Sequence, residues 1–297
     1  MLLPMTMHFN QRTLAKAVKL RGVGLHSGKQ VNMTIKSAPV NHGIKFKRTD
    51  LPDSPCVSAL LQMVVDTSLA TVIGSDGAII STIEHLMSCF SGFSIDNALV
   101  ELDAYEVAVM DGSAGPFAKL FCKAGIKEQE SPRYCFVVKE PIELEKDGKF
   151  VGVYPDSVFK ITCTIDFPHP LIQKQSYSVE VSEQTFLKEI SRARTFGFLE
   201  ELELMKLHGL ARGGSLDNAV VLDRDKIINE EGLRFKDEFV RHKILDCIGD
   251  FSLLGMPFLG HIIVKKSGHA FNHAFLNQFF TQKRSWETRT LKDFFIE

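Results

Sequence analysis

The sequence predicts an α+β protein made of two duplicated sheet-plus-helix domains that pack face to face. Three observations support this prediction. Segments with strand periodicity and segments with helix periodicity are mixed in both halves of the chain. The order histidine-bearing helix, strand, glycine-containing turn and helix occurs twice. The polar stretch 127–133 separates the two occurrences and is typical of a linker.

These boundaries give an N-terminal domain over residues 1–127 and a C-terminal domain over 134–297. In the first, alternation predicts a strand over 31–35, a second strand is expected over 98–102, and helices begin near Ser81 and Pro116. In the second, strands are expected over 136–138, 159–165 and 261–264. Helices are expected from Asp237 to about Leu254 and from about Asn272. A face-to-face arrangement places the functional site at the domain interface, where pockets tend to form.

Composition excludes several functional classes. The chain has 297 residues, of which 44% are hydrophobic and 24% charged, as in ordinary soluble proteins. Its net charge of −1 provides no basic field for nucleic acid, so no nucleic-acid partner is expected. No apolar run is long enough to span a membrane, and Met1–Met5 is too short for a signal peptide.

Cysteine usage indicates a cytoplasmic protein with reduced thiols. The six cysteines show no CxxC spacing and no spacing typical of a disulfide framework. A metal site built on cysteine is therefore not expected, whereas one built on histidine and aspartate stays open.

The helix from Asp237 carries a polar stripe. His242, Asp246 and Asp250 follow one another at i, i+4 spacing and share one face, away from the apolar residues of the same helix. An imidazole and a carboxylate one turn apart can bind one metal ion. The alternative is a solvated helix face with an ordinary His–Asp pair.

A second histidine lies near the start of the helix from Ser81. Ser81 and Glu84 have the spacing of a capping box, and Gly92 is a plausible C-terminal stop. His85 lies opposite the apolar side, where it can meet another domain. The alternatives are that Glu84 only caps the helix and that His85 is an ordinary surface histidine.

Two further segments stand out. His269 lies in a glycine-containing turn after a predicted strand, a position where functional residues often occur. Residues 196–215 are rich in Phe, Leu and Met and end in glycines. They form either an ordinary amphipathic helix with its connection or an inserted apolar flap for a lipid-like chain.

Several motifs together resemble one enzyme family. They are 22–28 (GVGLHSG), 81–86 (STIEHL), 110–114 (MDGSA), 191–198 (SRARTFGF), 232–235 (GLRF), 238–243 (EFVRHK) and 266–269 (KSGH). In sequence and order they resemble the UDP-3-O-acyl-N-acetylglucosamine deacetylases, the zinc enzymes of lipid A biosynthesis in Gram-negative bacteria. The resemblance begins at about residue 10, after a short N-terminal extension.

The resemblance implies a zinc site and an amide hydrolysis. His85, His242 and Asp246 would be the three protein ligands of one Zn²⁺, which leaves a position open for water. Glu84 would be the general base, and Thr195 would stabilise the oxyanion. His269, supported by Asp250, would be a cation that protonates the leaving amine.

The same resemblance implies the substrate contacts. Lys243 and Lys149 would contact the phosphate or nucleotide side, Phe196 the sugar and uracil end, and Phe198 with the residues up to 210 the acyl chain. The expected partner is a UDP-linked acylated amino sugar, reached without a membrane span by a cytoplasmic monomer. The competing hypotheses are a generic zinc amidase or peptidase and a non-enzymatic α+β binding module. His26 lies in a family motif but has no assigned chemistry.

Overall fold

The computed structural model describes residues 8–296, so the expectations for Met1–Met5 fall outside the described residues. Both halves of the described chain mix sheets with helices, which confirms the predicted α+β class. Among residues 8–296, no helix is both long and apolar enough to traverse a bilayer.

The first unit, residues 10–132, contains two α-helices and ten strands. The helices are α1 (Glu84–Gly92) and α2 (Gly115–Ala124), with a 3-10 turn at Leu61–Met63. The strands are β1 (Asn10–Leu14), β2 (Val18–Val23), β3 (Gln30–Ser37), β4 (Ile44–Arg48), β5 (Cys56–Ser58), β6 (Val64–Asp66), β7 (Val72–Ser75), β8 (Ala78–Ile80), β9 (Ala98–Leu102) and β10 (Ile126–Pro132).

The second unit, residues 134–296, contains the remaining elements. Its strands are β11 (Tyr134–Val138), β12 (Ile142–Lys146), β13 (Lys149–Tyr154), β14 (Phe159–Phe167), β15 (Gln173–Glu180), β16 (Phe196–Phe198), β17 (Val220–Asp223), β18 (Lys226–Ile227), β19 (Phe258–Lys265) and β20 (Trp286–Thr290). Its helices are α3 (Glu183–Thr185), α4 (Leu199–Leu207), α5 (Glu238–Phe251), α6 (His269–Thr281) and α7 (Leu291–Ile296), with a π-helical turn at Phe186–Ile190 and a 3-10 turn at Ser252–Leu254.

The two units share one sheet topology, which supports the predicted duplication. The first sheet has the order β2-β3-β9-β4-β5, in which β9 is antiparallel to β3 and parallel to β4. In the second, β12-β13-β19 continues into β14 and β15, and β19 is likewise antiparallel to β13 and parallel to β14. In both units the central strand lies between two helices in sequence, α1 and α2 or α5 and α6. The division into two domains stays our proposal.

The interpretation of residues 127–133 as a linker is wrong. Residues 127–132 belong to β10, which pairs antiparallel with β1, and Arg133 lies between β10 and β11. Their polar side chains are used at this sheet edge: Gln129 donates a hydrogen bond to the Ala38 carbonyl and accepts one from Asn97. A polar edge strand and a polar linker have the same composition, and only the pairing distinguishes them.

Helices α1 and α5 pack directly against each other and join the two units. Eight of the nine residues of α1 and twelve of the fourteen residues of α5 are buried, so neither helix has a solvated face. Gly249 lies at the crossing, where an added Cβ would be only 2.1 Å from the Glu84 carbonyl oxygen. The absence of a side chain there allows the two backbones to approach closely.

Candidate metal centre and active site

The polar stripe of α5 faces α1. His85, His242 and Asp246 are buried, and one ligand atom from each lies within 4.8 Å of the others. Asp246 Oδ1 is 3.4 Å from His242 Nε2 and 3.7 Å from His85 Nε2. The alternatives of a solvated α5 face and a surface histidine at position 85 are therefore wrong. Burial of His85 and His242 against each other, with ring centroids 5.0 Å apart, is the physical reason.

These three residues fit a zinc ion. Ligand atoms about 2.05 Å from a tetrahedral zinc lie about 3.4 Å from one another, close to the two Oδ1–Nε2 distances. Among the described residues, Asp246 Oδ1 is buried without a hydrogen-bond partner, which is costly unless a cation occupies the space. His242 Nδ1 lies 3.1 Å from the Ala193 carbonyl oxygen and donates to it, which leaves the Nε2 lone pair free.

The charge states of the cluster suit a metal ligand set. Burial, followed by the neighbouring His242, lowers the pKa of His85 to about 3, and burial also lowers the pKa of His242. Both imidazoles are therefore neutral near pH 7. Burial raises the pKa of Asp246, but the attraction of His242 in its protonated form and of the Lys243 ammonium outweighs burial and holds this pKa far below its usual value.

Two acid–base groups lie beside this cluster. Glu84 Oε1 is 3.8 Å from His269 Nε2, and His269 Nδ1 is 2.8 Å from Asp250 Oδ2. Burial is the main cause that raises the pKa of Glu84 to about 7, against the opposing charge of His269. Burial lowers the pKa of His269, but Asp250 and then Glu84 outweigh it and raise the pKa to about 9. A basic carboxylate therefore faces a protonated imidazole.

Glu84 does not form the predicted capping box. Helix α1 begins at Glu84 with Ile83 as its N-cap, and no side chain caps it. The cause is Thr82, whose φ of 59° reverses the chain before the helix, while its hydroxyl donates to Glu106. A left-handed β-branched residue is strained and is found where surrounding structure imposes it. Because of this reversal at Thr82, the Glu84 carboxylate does not cap the helix and faces the cavity.

A cavity of about 250 Å³ contains this site. Its lining includes most of the predicted residues, namely Glu84, His85, Thr195, Phe196, Phe198, His242, Lys243, Asp246 and His269. Asp250 lies behind His269. A second cavity of about 250 Å³ lies elsewhere and contains none of the predicted site residues.

Comparisons with known proteins show the family to which this chain belongs. The family model described as UDP-3-O-acyl N-acetylglycosamine deacetylase (LpxC) matches residues 11–281. The chain belongs to this deacetylase family. It is 51% identical over 279 residues to the UDP-3-O-acyl-N-acetylglucosamine deacetylase of Myxococcus xanthus, covering 94% of this chain and 89% of the relative.

Two further relatives with the same name are similarly close. The protein of Syntrophus aciditrophicus is 49% identical, covering 94% of this chain and 88% of the relative. That of Chromohalobacter salexigens is 48% identical, covering 95% and 94%. Membership of the deacetylase family therefore extends over nearly the whole chain, including both units and the helices α1 and α5.

Some residues predicted for substrate binding have other contacts in this member of the deacetylase family. Lys243 lines the cavity, but its Nζ pairs with Asp246 Oδ2 at 2.7 Å. Burial lowers the pKa of Lys243, but the Asp246 charge outweighs it, so the pKa is raised. Lys149 is exposed after the tight Asp147-Gly148 turn and is absent from the cavity lining.

The predicted apolar insert forms β16 and α4. Phe196 packs on Phe239 and Phe198 on Phe167, and both phenylalanines line the cavity. No residue of α4 is buried, and Leu207 keeps 84% of its surface exposed. Phe196 and Phe198 at the start of the insert therefore face the cavity, whereas Leu204 and Leu207 of α4 are exposed to solvent.

Sequence reasoning missed several residues of the site. Thr71 and Asn272 hydrogen-bond to Asp250, and Glu106 accepts bonds from the backbone N–H groups of His26 and Ser27. His26 thereby lines the cavity. Thr71 has no motif or periodicity in the sequence that marks it, because its partners are distant along the chain. Asn272, three residues after His269, could have been found as the next inward position of α6.

Proposed function

We propose that this chain hydrolyses the N-acetyl group of UDP-3-O-(3-hydroxyacyl)-N-acetylglucosamine, releasing acetate and the free amine, as an early step of lipid A biosynthesis. One observation carries the proposal beyond family membership. A buried His/His/Asp cluster lies beside a carboxylate and a histidine of raised pKa, which are the groups that metal-assisted amide hydrolysis uses. The relatives named above carry this activity in their names.

We propose Zn²⁺ as the metal, held by His85, His242 and Asp246. A bound zinc would supply a Lewis acid that acidifies water and polarises the acetamide carbonyl. Two neutral imidazoles and one carboxylate, leaving an open side towards the cavity, are typical of a catalytic zinc site.

The remaining steps belong to residues of this chain. Glu84 accepts a proton from the attacking water, for which its raised pKa suits it. The Thr195 hydroxyl, on a backbone held by Gly112 and Val220, donates to the developing oxyanion. His269 donates its Nε2 proton to the departing amine, because an amide anion is too poor a leaving group to depart unprotonated.

Asp250 orients His269, the general acid. It accepts a hydrogen bond from His269 Nδ1–H and so directs the Nε2–H towards Glu84 and the cavity. With Glu84 as base and His269 as acid, the two proton transfers of amide hydrolysis have separate residues.

Substrate contacts follow from the cavity lining. Lys243 would meet the phosphate side as a point charge while bridging to Asp246, and Phe196 would contact the sugar and uracil end. Phe198 would contact the acyl chain. Lys149 stays a proposal for the nucleotide side, resting on the resemblance alone.

The proposed function also implies a cellular location and an oligomeric state. We expect a monomer in the cytoplasm that meets the acyl chain of its substrate peripherally. All six cysteines are free thiols in the structure, as expected for a reducing compartment.

The test is acetate release from the acylated UDP-N-acetylglucosamine, measured together with zinc content. We expect wild-type protein to contain about one zinc per chain and to release acetate, and Glu84→Gln and His269→Gln each to lose about 10²–10⁴-fold in turnover with zinc retained. A matched peptide substrate should not be cleaved. Peptide cleavage without acetate release would instead support a general zinc peptidase, and protein without stoichiometric zinc would support a binding module.

A further inference from the structure

Thr71 lies where the base and the acid of the site meet. It is buried in the segment between β6 and β7 of the first unit, and it contacts groups from three helices. Its backbone N–H donates to Glu84 Oε2 at 3.1 Å, and its hydroxyl donates to Asp250 Oδ1 at 2.6 Å. The same oxygen is 3.3 Å from His269 Nδ1.

The hydroxyl completes the hydrogen bonds of Asp250. Asp250 Oδ2 accepts from His269 Nδ1 and from Asn272 Nδ2, each at 2.8 Å. Oδ1 accepts a hydrogen bond from the Thr71 hydroxyl. The carboxylate is buried, so removal of the Thr71 hydroxyl would leave Oδ1 without its donor and allow the carboxylate to rotate.

The backbone of Thr71 positions Glu84, the general base. Its N–H donates a hydrogen bond to Glu84 Oε2, and its carbonyl oxygen accepts one from the Ile83 N–H at 3.4 Å. Glu84 Oε1 is then the oxygen that faces His269 Nε2. One residue of the first unit therefore contacts both the base and the carboxylate that orients the acid on the second unit.

We infer that Thr71 is a positioning residue, which sets the orientation of His269 through Asp250 and the orientation of Glu84 through its backbone. The inference rests on the proposed function. Thr71 contacts no substrate atom in this assignment, and it acts on turnover rather than on substrate affinity or metal binding.

The test uses the zinc-loaded enzyme with Thr71→Val, which keeps the shape and the backbone N–H but removes the hydroxyl. We expect kcat to fall about ten- to a hundredfold, the loss of one hydrogen bond to a charged group, with KM and zinc content unchanged. Thr71→Ser, which restores the hydroxyl, should keep kcat within about threefold of wild type.

Thr13→Val is the matched control. Thr13 is also buried, and its hydroxyl donates to the Asn97 carbonyl at 2.7 Å and accepts from the Ala38 N–H, without a hydrogen bond to Glu84, Asp250 or His269. It should lower stability without lowering kcat. Equal kcat for Thr71→Val and wild type, equal loss in Thr71→Ser and Thr71→Val, or a loss confined to KM or zinc content would each overturn the inference.

A second measurement does not depend on turnover. In metal-free protein, the downfield proton resonance of His269 Nδ1–H reports its hydrogen bond to Asp250. We expect this resonance to shift or broaden in Thr71→Val and to persist in Thr71→Ser, and an unchanged spectrum in Thr71→Val would overturn the inference. If wild-type protein releases no acetate, the proposed function fails, while this spectrum still tests the positioning role.

Discussion

Replacing Gly249 with alanine should separate the two helices that carry the candidate metal ligands. Gly249 lies on α5, three residues after Asp246, and faces the first turn of α1. An alanine Cβ would lie 2.1 Å from the Glu84 carbonyl oxygen and 2.8 Å from its carbonyl carbon. Both neighbours are backbone atoms, so no side-chain rotation relieves the contact.

The size of the effect follows from these distances. Ordinary contacts with a Cβ begin at 3.4 Å, so the Glu84 backbone must move by about 1.3 Å. His242 and Asp246 stay together on α5, whereas His85 moves with α1, so the separations of His85 from Asp246 (3.7 Å) and from His242 both lengthen. A displacement of about 1 Å in a catalytic group costs about 10²-fold in rate.

Stability should change less than activity. Alanine is favoured over glycine within a helix by about 1 kcal/mol, whereas overpacking costs about 1–3 kcal/mol. We therefore expect a net loss of about 2 kcal/mol or less in the free energy of unfolding, with a fall of about 10²-fold in kcat and weaker zinc binding.

The assay compares acetate release, zinc affinity by competition with a chelator, and urea unfolding. Ile244→Val on the same helix is the control, because it removes one buried methylene-sized group for about 1 kcal/mol and leaves Gly249 in place. It should leave kcat and zinc affinity near wild type. Wild-type kcat and zinc affinity in a folded Gly249→Ala protein would refute the reasoning that this close approach sets the ligand spacing.

Three further predictions concern stability, metal and substrate. Arg194→Ala should cost about 3–5 kcal/mol in urea unfolding, because Glu238 is fully buried and would keep an unpaired charge; a loss below about 1 kcal/mol would contradict this. Chelator-treated protein should melt at a lower temperature and lose acetate release, and about one equivalent of Zn²⁺ should restore both, whereas activity surviving complete zinc removal would exclude a metal-dependent mechanism. Removing two methylene groups from the acyl chain should raise KM about tenfold, because each buried CH₂ contributes about 0.8 kcal/mol, and Phe198→Ala should weaken this dependence; identical chain-length dependence in the variant would exclude Phe198 from the acyl contact.

The sequence alone determined the features that depend on local periodicity. The i, i+4 spacing of His242, Asp246 and Asp250 requires only the helical repeat, and it survives in α5 unchanged. Strand alternation likewise predicted β3, and the repeated element order predicted duplicated domains, which the shared sheet topology supports. The motifs around His85 and His269 indicated the enzyme family. Each motif is a contiguous stretch of the chain, so it can be recognised without the structure.

Predictions from local sequence patterns were wrong where the contacts of a residue come from a distant part of the chain. Ser81 and Glu84 have capping-box spacing, yet the left-handed backbone at Thr82 starts the helix later and leaves Glu84 free for the site. Residues 127–133 have the composition of a linker, yet 127–132 belong to β10, which forms a two-stranded sheet with the distant strand β1.

The tertiary structure alone decided how the site is assembled. Thr71 and Asp250 are 179 residues apart in sequence, and the approach of Gly249 to Glu84 likewise requires both units to be packed. Spacing along a helix determines which side chains share a face, because that depends only on the helical repeat. The faces by which two helices contact each other, and the distance between them, depend on how distant segments pack. The distance between His85 on α1 and Asp246 on α5 is set by that packing.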